Sequence, residues 1–589
     1  MNTMIALNFQ EGSKAMIKLK INNREVEVSP DKTILDAAKE HGIDIPTLCY
    51  YPDLNINSDC RICSVEVEGA KNLLTACSTP VKEGMVIRTN SSKVLNARRT
   101  ITELILANHD TNCTACVKNM KCELQSLANQ LGIDENRFPS VLKDQEVDDH
   151  NPSIYRNPNR CIKCGRCVDV CKDVEGTHVL ETMYRGHDVE VTPKYGKYLT
   201  DEDCTFCGQC SSVCPVAAIT EKDDSVRVLD VLNNPKKHVV VQVAPSIRVS
   251  IGEEFGEATG GEWTGKLVTA LRNLGFDRVF DTDFTADLTI IEEGHELLHR
   301  VKTGGTLPMM TSCCPGWINY AEQHYPDMLG HLSTCKSPQQ MFGSLAKTYY
   351  AQTEKLDPKD VYVVSIMPCT AKKYEAAREE MQVNENIPDV DAVLTTRELG
   401  KMVRQMGINF QELEDGEFDN PFGITTGAAA IFGATGGVME AALRTVSEVV
   451  NEKPLESLDF KDVRGMQGIK EAEVELGGAK VRVAVAHTLK HAKQLTDQIK
   501  AGESPYAFIE VMTCPGGCIG GGGQPYGTTN QKRQERINAT YQLDSEMPLR
   551  KSHENPYITE IYEKFLKEPL GKLSHDILHT HYTPRVKLK

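Results

Sequence analysis

No stretch of this 589-residue chain approaches the ~20 consecutive apolar residues that a membrane-crossing helix requires. Its opening, Met1 to Met16, lacks the basic region, apolar stretch and cleavage site of a secretory signal. These absences predict a cytoplasmic protein. Positive charge is also short: 66 Lys and Arg against 82 Asp and Glu leave a formal charge of −16, where a nucleic-acid binder would show a basic face. No Gly-x-Gly-x-x-Gly joins a strand to a helix, so neither NAD(P) nor flavin is expected on this chain itself, and no appended signalling domain is visible. A composition of 40% hydrophobic and 25% charged residues is that of an ordinary globular protein, long enough for roughly three to five domains.

Cysteine is what the chain has in excess. Of 21 cysteines, fifteen fall before residue 215 in clustered spacings. Cytoplasmic thiols stay reduced, so such clusters favour metal over disulfide. From Met16, apolar and charged residues alternate around Asn22-Asn23, the signal of a β-hairpin, and an amphipathic helix follows from Ile34 to His41, with Asp31 or Thr33 as its cap. Then come Cys49, Cys60, Cys63 and Cys77, four thiolates that suit iron–sulfur or zinc. Next is His109-x3-Cys113-x2-Cys116-x5-Cys122, in a segment of largely helical pattern; three thiolates and an imidazole can hold zinc or a [4Fe–4S] cluster. Cys161-x2-Cys164-x2-Cys167-x3-Cys171 is then repeated as Cys204-x2-Cys207-x2-Cys210-x3-Cys214-Pro215, the pattern of two-cluster bacterial ferredoxins. There the fourth cysteine of each run serves the other cluster, so Cys214 is assigned with Cys161, Cys164 and Cys167, and Cys171 with Cys204, Cys207 and Cys210. Lys172 replaces the proline that usually trails the first run.

Polar stretches near residues 142–159 and 233–238 mark boundaries. The expected division is an extension over 1–15, a β-grasp [2Fe–2S] module over 16–95, a small helical module with one histidine and three cysteines over 96–145, and a two-[4Fe–4S] ferredoxin module over 146–228. A large α/β domain with two twisted sheets flanked by helices takes 229–589, making the whole multidomain α+β and α/β. Beyond residue 228, Val239–Pro245, Val361–Cys369 and Phe508–Cys514 read as buried strands, the last two running directly into a cysteine. Ligands in α/β folds gather at carboxyl ends of strands, which places Cys369 and Cys514 for chemistry. The glycines of Cys514-Pro-Gly-Gly-Cys518-Ile-Gly-Gly-Gly-Gly-Gln524 are read as leaving room for a bulky cofactor. Glu293 and Glu296, three apart on a helix, would by themselves suggest a solvated face.

The first module resembles a plant-type [2Fe–2S] ferredoxin, but with ten residues between its first two cysteines it is most similar to the variant at the front of hydrogenases and respiratory complex I subunits. The same families next have a cluster held by one histidine and three cysteines, which implies a ligand role for His109. Thr311-Ser-Cys-Cys-Pro-Gly-Trp317, Met367-Pro-Cys-Thr-Ala-Lys-Lys373 and Glu510-Val-Met-Thr-Cys-Pro-Gly-Gly-Cys518 resemble the three signatures of [FeFe]-hydrogenases, and the likeness runs from about residue 16 to the end. It implies an H-cluster: a [4Fe–4S] cube on Cys314, Cys369, Cys514 and Cys518, with Cys518 bridging to a two-iron subsite bearing carbonyl, cyanide and an amine dithiolate. Cys313 would be unbound and pass protons, continued by Glu293, Ser333 and Glu296 to the surface near Arg300. Lys372 would donate to a cyanide while Met367 and Met512 pack around the two irons. Cys335 has no ligand role and reads as a buried apolar thiol.

The implied activity is H2 = 2 H+ + 2 e−, with one [2Fe–2S] and three accessory [4Fe–4S] clusters as the electron path. The ending from His575 to Arg585 looks like that of catalytic subunits in multimeric, NAD(P)-linked, electron-bifurcating hydrogenases. That implies ferredoxin and flavin- and NAD(P)-binding iron–sulfur subunits as partners, and maturases that insert the two-iron subsite. Ile558, Ile561, Tyr562, Phe565 and Leu566 share one helical face of that tail, and His579 and His581 are read as packed or solvated. The alternatives are a hydrogenase-like iron–sulfur assembly factor and an electron-transfer subunit like the large peripheral subunit of complex I. The first lacks the front module and the Cys313-Cys314 doublet; the second would match only the first 230 residues or so.

Overall fold

The computed structural model describes residues 15–194, 196–384 and 386–585, so the expected N-terminal extension lies, but for residue 15, outside the described residues. The chain divides into two compact units. One takes the residues up to Glu146 with Asn157–Arg166 and Pro215–Ala218; the other takes Val147–Arg156, Cys167–Cys214 and everything from Ile219 on. Among the described residues no helix is long and apolar enough to cross a membrane.

In the first unit, strands Ile17–Ile21 and Arg24–Val28 pair antiparallel around Asn22 and Asn23, whose φ angles of 48° and 67° asparagine tolerates in a tight hairpin turn. Alternation sends Leu19, Ile21, Val26 and Val28 inward. Each such side chain contributes roughly 1.5–3 kcal/mol on burial. Helix Ile34–Glu40 starts on Thr33, whose hydroxyl accepts from the Asp36 N–H while Asp36 accepts from the Thr33 N–H, a complete capping box. The sheet is completed by Val86–Arg88, parallel to the first strand, then Ser64–Val67 and Leu74–Thr75. Helix Ser92–Ala107 is fastened to the cysteine loop by buried Arg98, which donates to the carbonyls of Ile62 and Ser64.

The second unit is built on two four-stranded sheets. In one, Arg278–Asp281, His238–Val243, Val361–Met367 and Ala392–Thr395 lie in that order, all parallel. Val239, Val240, Val241, Val363, Val364 and Ile366 are all buried, the unbroken apolar run expected of parallel strands covered on both faces. In the other, Met309–Met310, Phe508–Met512 and Ala479–His487 are parallel and Ile469–Leu476 closes the edge antiparallel. The expected strands at 239, 361 and 508 all form. The long helix Asp283–Thr303, the helix Pro315–His324 that follows Cys314, and the helix Ala371–Ala376 that follows Cys369 surround the strand ends. In the tail, Ile558, Ile561, Tyr562 and Leu566 are buried in the core of the first sheet, with Phe565 packed against it.

The repeated cysteine runs share one backbone shape. Lys163 and Phe206, each before the second cysteine, both have φ of 56°, and Gly165 and Gly208 after it have φ of 77° and 74°. The second run is moulded onto the α/β core of its unit. Asn319 donates to the Cys204 carbonyl, Thr370 to that of Phe206, Gln209 to that of Gly520, and Ser212 to that of Gly522. Buried Arg397 binds Glu221 and the Gly522 and Gln524 carbonyls together.

This corrects the reading of the glycine run. A Cβ on Gly521 would lie 2.2 Å from the Pro368 carbonyl oxygen, and one on Gly522 would lie 2.1 Å from that of Cys207. Room at these positions is taken by protein backbone, so the glycines serve close chain approach as much as any cofactor. Gly522→Ala should therefore cost about 1–3 kcal/mol of stability, measured as a fall in the denaturant midpoint.

Candidate active site and cluster ligands

Three strands of the first sheet and two of the second end at one cavity. Thr282, the Ala244-Pro245-Ser246 segment, and Met367 with Pro368 and Cys369 line it from the first sheet; Cys313 and Cys314, then Met512, Thr513 and Cys514, line it from the second, and Cys518 completes it. The space between these residues, counting what opens to solvent, is about 740 Å³. Five thiols from three distant motifs thus meet in one enclosure, with Lys372 and Gln339 in its wall.

Burial pushes every resolved thiol here upward: Cys369 to about 12, Cys518 above its ordinary range, and Cys313 and Cys514 well above theirs. Neighbouring thiols add to the shift at Cys369, Cys514 and Cys518. Such sulfurs are either protonated or bound to metal, since coordination removes the proton that burial retains. Backbone donors are already aimed for the bound state: Thr513 N–H points at Cys314 Sγ at 3.3 Å, and the Ala371 and Lys372 N–H groups point at Cys369.

Two buried polar atoms of the wall support an occupied cavity. Ser246 Oγ and Gln339 Oε1 have no hydrogen-bond partner, although Gln339 Nε2 is bonded to Glu375 and to the Lys372 carbonyl. Orphaned buried acceptors and hydroxyls are rare, and here they belong to residues lining the space where ligands of a metal group would lie. The residues therefore fit an H-cluster. Lys372 Nζ donates to the Cys313 carbonyl at 3.0 Å and to both oxygens of Glu375. Burial disfavours its charge, but Glu375 holds the ammonium above its ordinary range.

Helix Asp283–Thr303 and the 333–335 segment bring the expected acid series together. Glu293 is 3% and Glu296 7% exposed, so the solvated face suggested by their spacing does not exist. Burial, then the neighbouring Glu296, pushes the Glu293 carboxyl to about 8. After burial itself, Glu293 is the strongest influence on Cys313. Ser333, fully buried, bonds to Glu293 and donates to Glu296 at 3.0 Å, and Glu296 pairs with Arg300 at 2.6 Å. Cys335 is buried as expected, its thiol 4.0 Å from Glu296.

Among the other cysteines, Cys49 and Cys60 exchange backbone-to-sulfur bonds of 3.4 and 3.5 Å, and the sulfurs of Cys63 and Cys77 are 3.3 Å apart. His109 carries a buried Nδ1 without a partner, and burial lowers the imidazole to about 4, so a neutral nitrogen donor is present in the same unit as Cys113, Cys116 and Cys122. After burial, Cys204, Cys171 and Cys214 all raise the Cys210 thiol. Cys161 and Cys164 belong to the first unit, Cys167 and Cys214 to the second.

Sequence reasoning missed Ser246, Gln339 and Glu375. Ser246 had a signal in the strand ending at Pro245; Glu375 had one in its place three residues after Lys372 on a helix. Gln339 had none.

A cavity of converging thiols, preceded by ferredoxin-like cysteine modules, defines an iron–sulfur oxidoreductase. Comparison with known proteins makes the class specific. Residues 237–522 match the model of the iron only hydrogenase large subunit, C-terminal domain, and 530–585 that of the iron hydrogenase small subunit. Ahead of them, 14–92 match a 2Fe-2S iron-sulfur cluster binding domain, 98–137 the NADH-ubiquinone oxidoreductase-G iron-sulfur binding region, and 151–220 the ferredoxin-like domain of NADH-quinone oxidoreductase subunit 3. The chain is 50% identical to the NADP-reducing hydrogenase subunit HndD of Solidesulfovibrio fructosivorans, over 98% of this chain and 100% of that protein. It is 43% identical to iron hydrogenase 1 of Clostridium pasteurianum, over 95% of this chain and 99% of that one. Among solved structures, a variant of [FeFe]-hydrogenase HydA1 from Chlamydomonas reinhardtii aligns with a TM-score of 0.57 at 44% identity, covering 62% of this chain and all of that one. The chain belongs to the [FeFe]-hydrogenases, and is an oxidoreductase of hydrogen.

Glu375→Gln leaves the buried Lys372 ammonium without its counter-charge. The expected cost is about 3–5 kcal/mol, read from urea unfolding of the cluster-free protein.

Proposed function

We propose that this hydrogenase runs H2 = 2 H+ + 2 e− at an H-cluster that Cys314, Cys369, Cys514 and Cys518 would hold. The observation that carries this is the single enclosure in which those four thiols meet a fifth, Cys313, with Ser246 Oγ and Gln339 Oε1 unpartnered in its wall. When bound, the two-iron subsite supplies the metal at which hydrogen is taken up or released, and the cube carries the electrons.

Cys313, in the same cavity but outside the expected ligand set, would hold or give up a proton at Sγ. Glu293, neutral below about 8, carries the next proton in a form able to donate, and the Ser333 hydroxyl hands it to Glu296 beside Arg300. Lys372, fixed by Glu375 and the Cys313 carbonyl, offers positive charge to an anionic ligand, while Met367 and Met512 exclude water. The cysteine runs of 161–171 and 204–214, and His109 with Cys113, Cys116 and Cys122, would hold three accessory [4Fe–4S] clusters, and Cys49, Cys60, Cys63 and Cys77 one [2Fe–2S] cluster; these would supply electron transfer. The corresponding modules are assigned to 96–145, 146–228 and 16–95, ahead of the catalytic domain from 229.

The partners we infer are ferredoxin and flavin- and NAD(P)-binding iron–sulfur subunits, with dedicated maturases for the two-iron subsite. This inference is supported by the likeness along the full chain to a subunit of an NADP-reducing hydrogenase, and by the lack of a nucleotide fingerprint in this sequence.

In protein matured with its two-iron subsite, infrared bands of iron-bound carbonyl and cyanide are expected. Cys313→Ala should keep those bands and lose about 10²–10⁴-fold in turnover, the span of a lost acid–base group. Because Glu293 has a raised carboxyl, it donates below about 8 and is an anion above, so hydrogen evolution should decline as pH rises through that value. Glu293→Gln should remove the turnover and, with it, that limb. Purification of the native complex should bring down flavin-containing subunits; a lone chain reacting with ferredoxin alone would contradict the partner assignment.

A further inference from the structure

Glu292 and Glu293 are neighbours on one helix, yet their surroundings are opposite. Glu293 faces the proton series. Glu292, wholly buried, accepts from the Tyr562 hydroxyl at 2.5 Å, the Leu570 N–H at 2.9 Å, His579 Nε2 at 3.2 Å and the Ser574 hydroxyl, all from the C-terminal tail. Burial alone would raise its carboxyl, but the bonds from His579, Ser574 and Tyr562 outweigh that and hold it below the ordinary range. With Nε2 donating to an anion, His579 presents Nδ1 as an acceptor, and the Thr334 hydroxyl meets it at 2.8 Å. Thr334 N–H in turn donates to both oxygens of Glu296, at 3.2 and 3.0 Å.

The tail also pairs with this segment along the backbone. Lys336 N–H donates to the Leu578 carbonyl and Thr580 N–H to that of Thr334, each at 2.8 Å, and the Tyr582 hydroxyl donates to the Ser333 carbonyl at 2.9 Å. Ser333 is therefore seated between Glu293 and Glu296 by a strap formed from the C-terminal tail.

We propose that His579, oriented by Glu292, is a positioning residue of the proton route: through Thr334 it fixes the Ser333 hydroxyl and the Glu296 carboxylate at transfer distance. This rests on the route from Cys313 to Arg300 set out above. The charged and titratable groups that face Ser333 and its neighbours are Glu292, Glu293, Glu296 and Arg300 from the helix, Cys335 from the segment itself, His579 and Tyr582 from the tail, and Glu510 and Cys313 from the cavity side.

The test uses fully matured, full-length enzyme carrying Thr334→Val, Thr334→Ser or His579→Gln. Thr334→Val removes the hydroxyl with little change in side-chain size and keeps the Thr334 N–H bonds to Glu296; the unfolding midpoint is measured alongside, since His579 Nδ1 loses its partner. With iron content and carbonyl and cyanide bands unchanged, Thr334→Val should lower hydrogen evolution about tenfold through misplacement of the relay. It should also shift the alkaline limb of the pH profile by half a unit or more, enlarge the solvent isotope effect, and move the infrared C=O band of the protonated Glu293 carboxyl. His579→Gln should do the same, and Thr334→Ser should restore the parent values. Parent-like rates and pH profiles in Thr334→Val and His579→Gln overturn the proposal, as does a loss that merely follows iron content with an unshifted profile. Ser333→Ala and Glu296→Gln serve as controls: if they lose turnover while Thr334→Val does not, only the strap's role fails, whereas if they keep full turnover the route itself is wrong.

Discussion

Burying a thiolate costs free energy that only a proton or a metal can offset. The larger unit imposes that choice on Cys313, Cys369, Cys514 and Cys518 at once, by ending five strands of two sheets at one cavity. A chain that gathered them loosely would leave them hydrated and indifferent to metal. Here burial makes the metal-free state a set of reluctant acids, and backbone N–H groups at Cys314 and Cys369 wait for the anionic form. Lys372 is kept charged in the same dry wall only because Glu375 stands behind it.

The same constraint explains the acid series. A carboxyl in water is an anion at neutral pH and a poor proton donor; Glu293 suits the proposed route because burial beside Glu296 keeps it neutral up to about 8. Glu296, at the outer end, accepts from Arg300, the Thr334 N–H and the Ser333 hydroxyl. The proposed proton route runs along this helix, from Glu293 through Ser333 to Glu296 and Arg300.

Much of this was legible beforehand because cysteine spacing is a statement about geometry. The hairpin at Asn22-Asn23, the cap at Thr33 and the strands running into Cys369 and Cys514 follow from local rules of turn, period and loop, whereas the expected H-cluster ligands come from the resemblance to [FeFe]-hydrogenases. What the chain did not disclose depends on distant contacts. Ser246, Gln339 and Glu375 are ordinary polar residues until the sheets bring them to the cavity wall. The glycines after Cys518 were visible, but not that Gly522 lies against the Cys207 carbonyl. His579 could be seen as packed or solvated; its bond to Glu292, 287 residues away, could not.

Glu292 and Glu293 are the same letter written twice, and about 100° of helical rotation separates them. One is an anchor fixed in the anionic state, the other a carrier kept neutral. Inserting or deleting a single residue in the first turns of Asp283–Thr303 would preserve both glutamates and every cysteine, yet bring one glutamate into the other's place and carry the second about 100° away from both. Reading frames of this kind have no tolerance for drift: length between Asp283 and Glu292 is as much a part of the catalyst as any side chain.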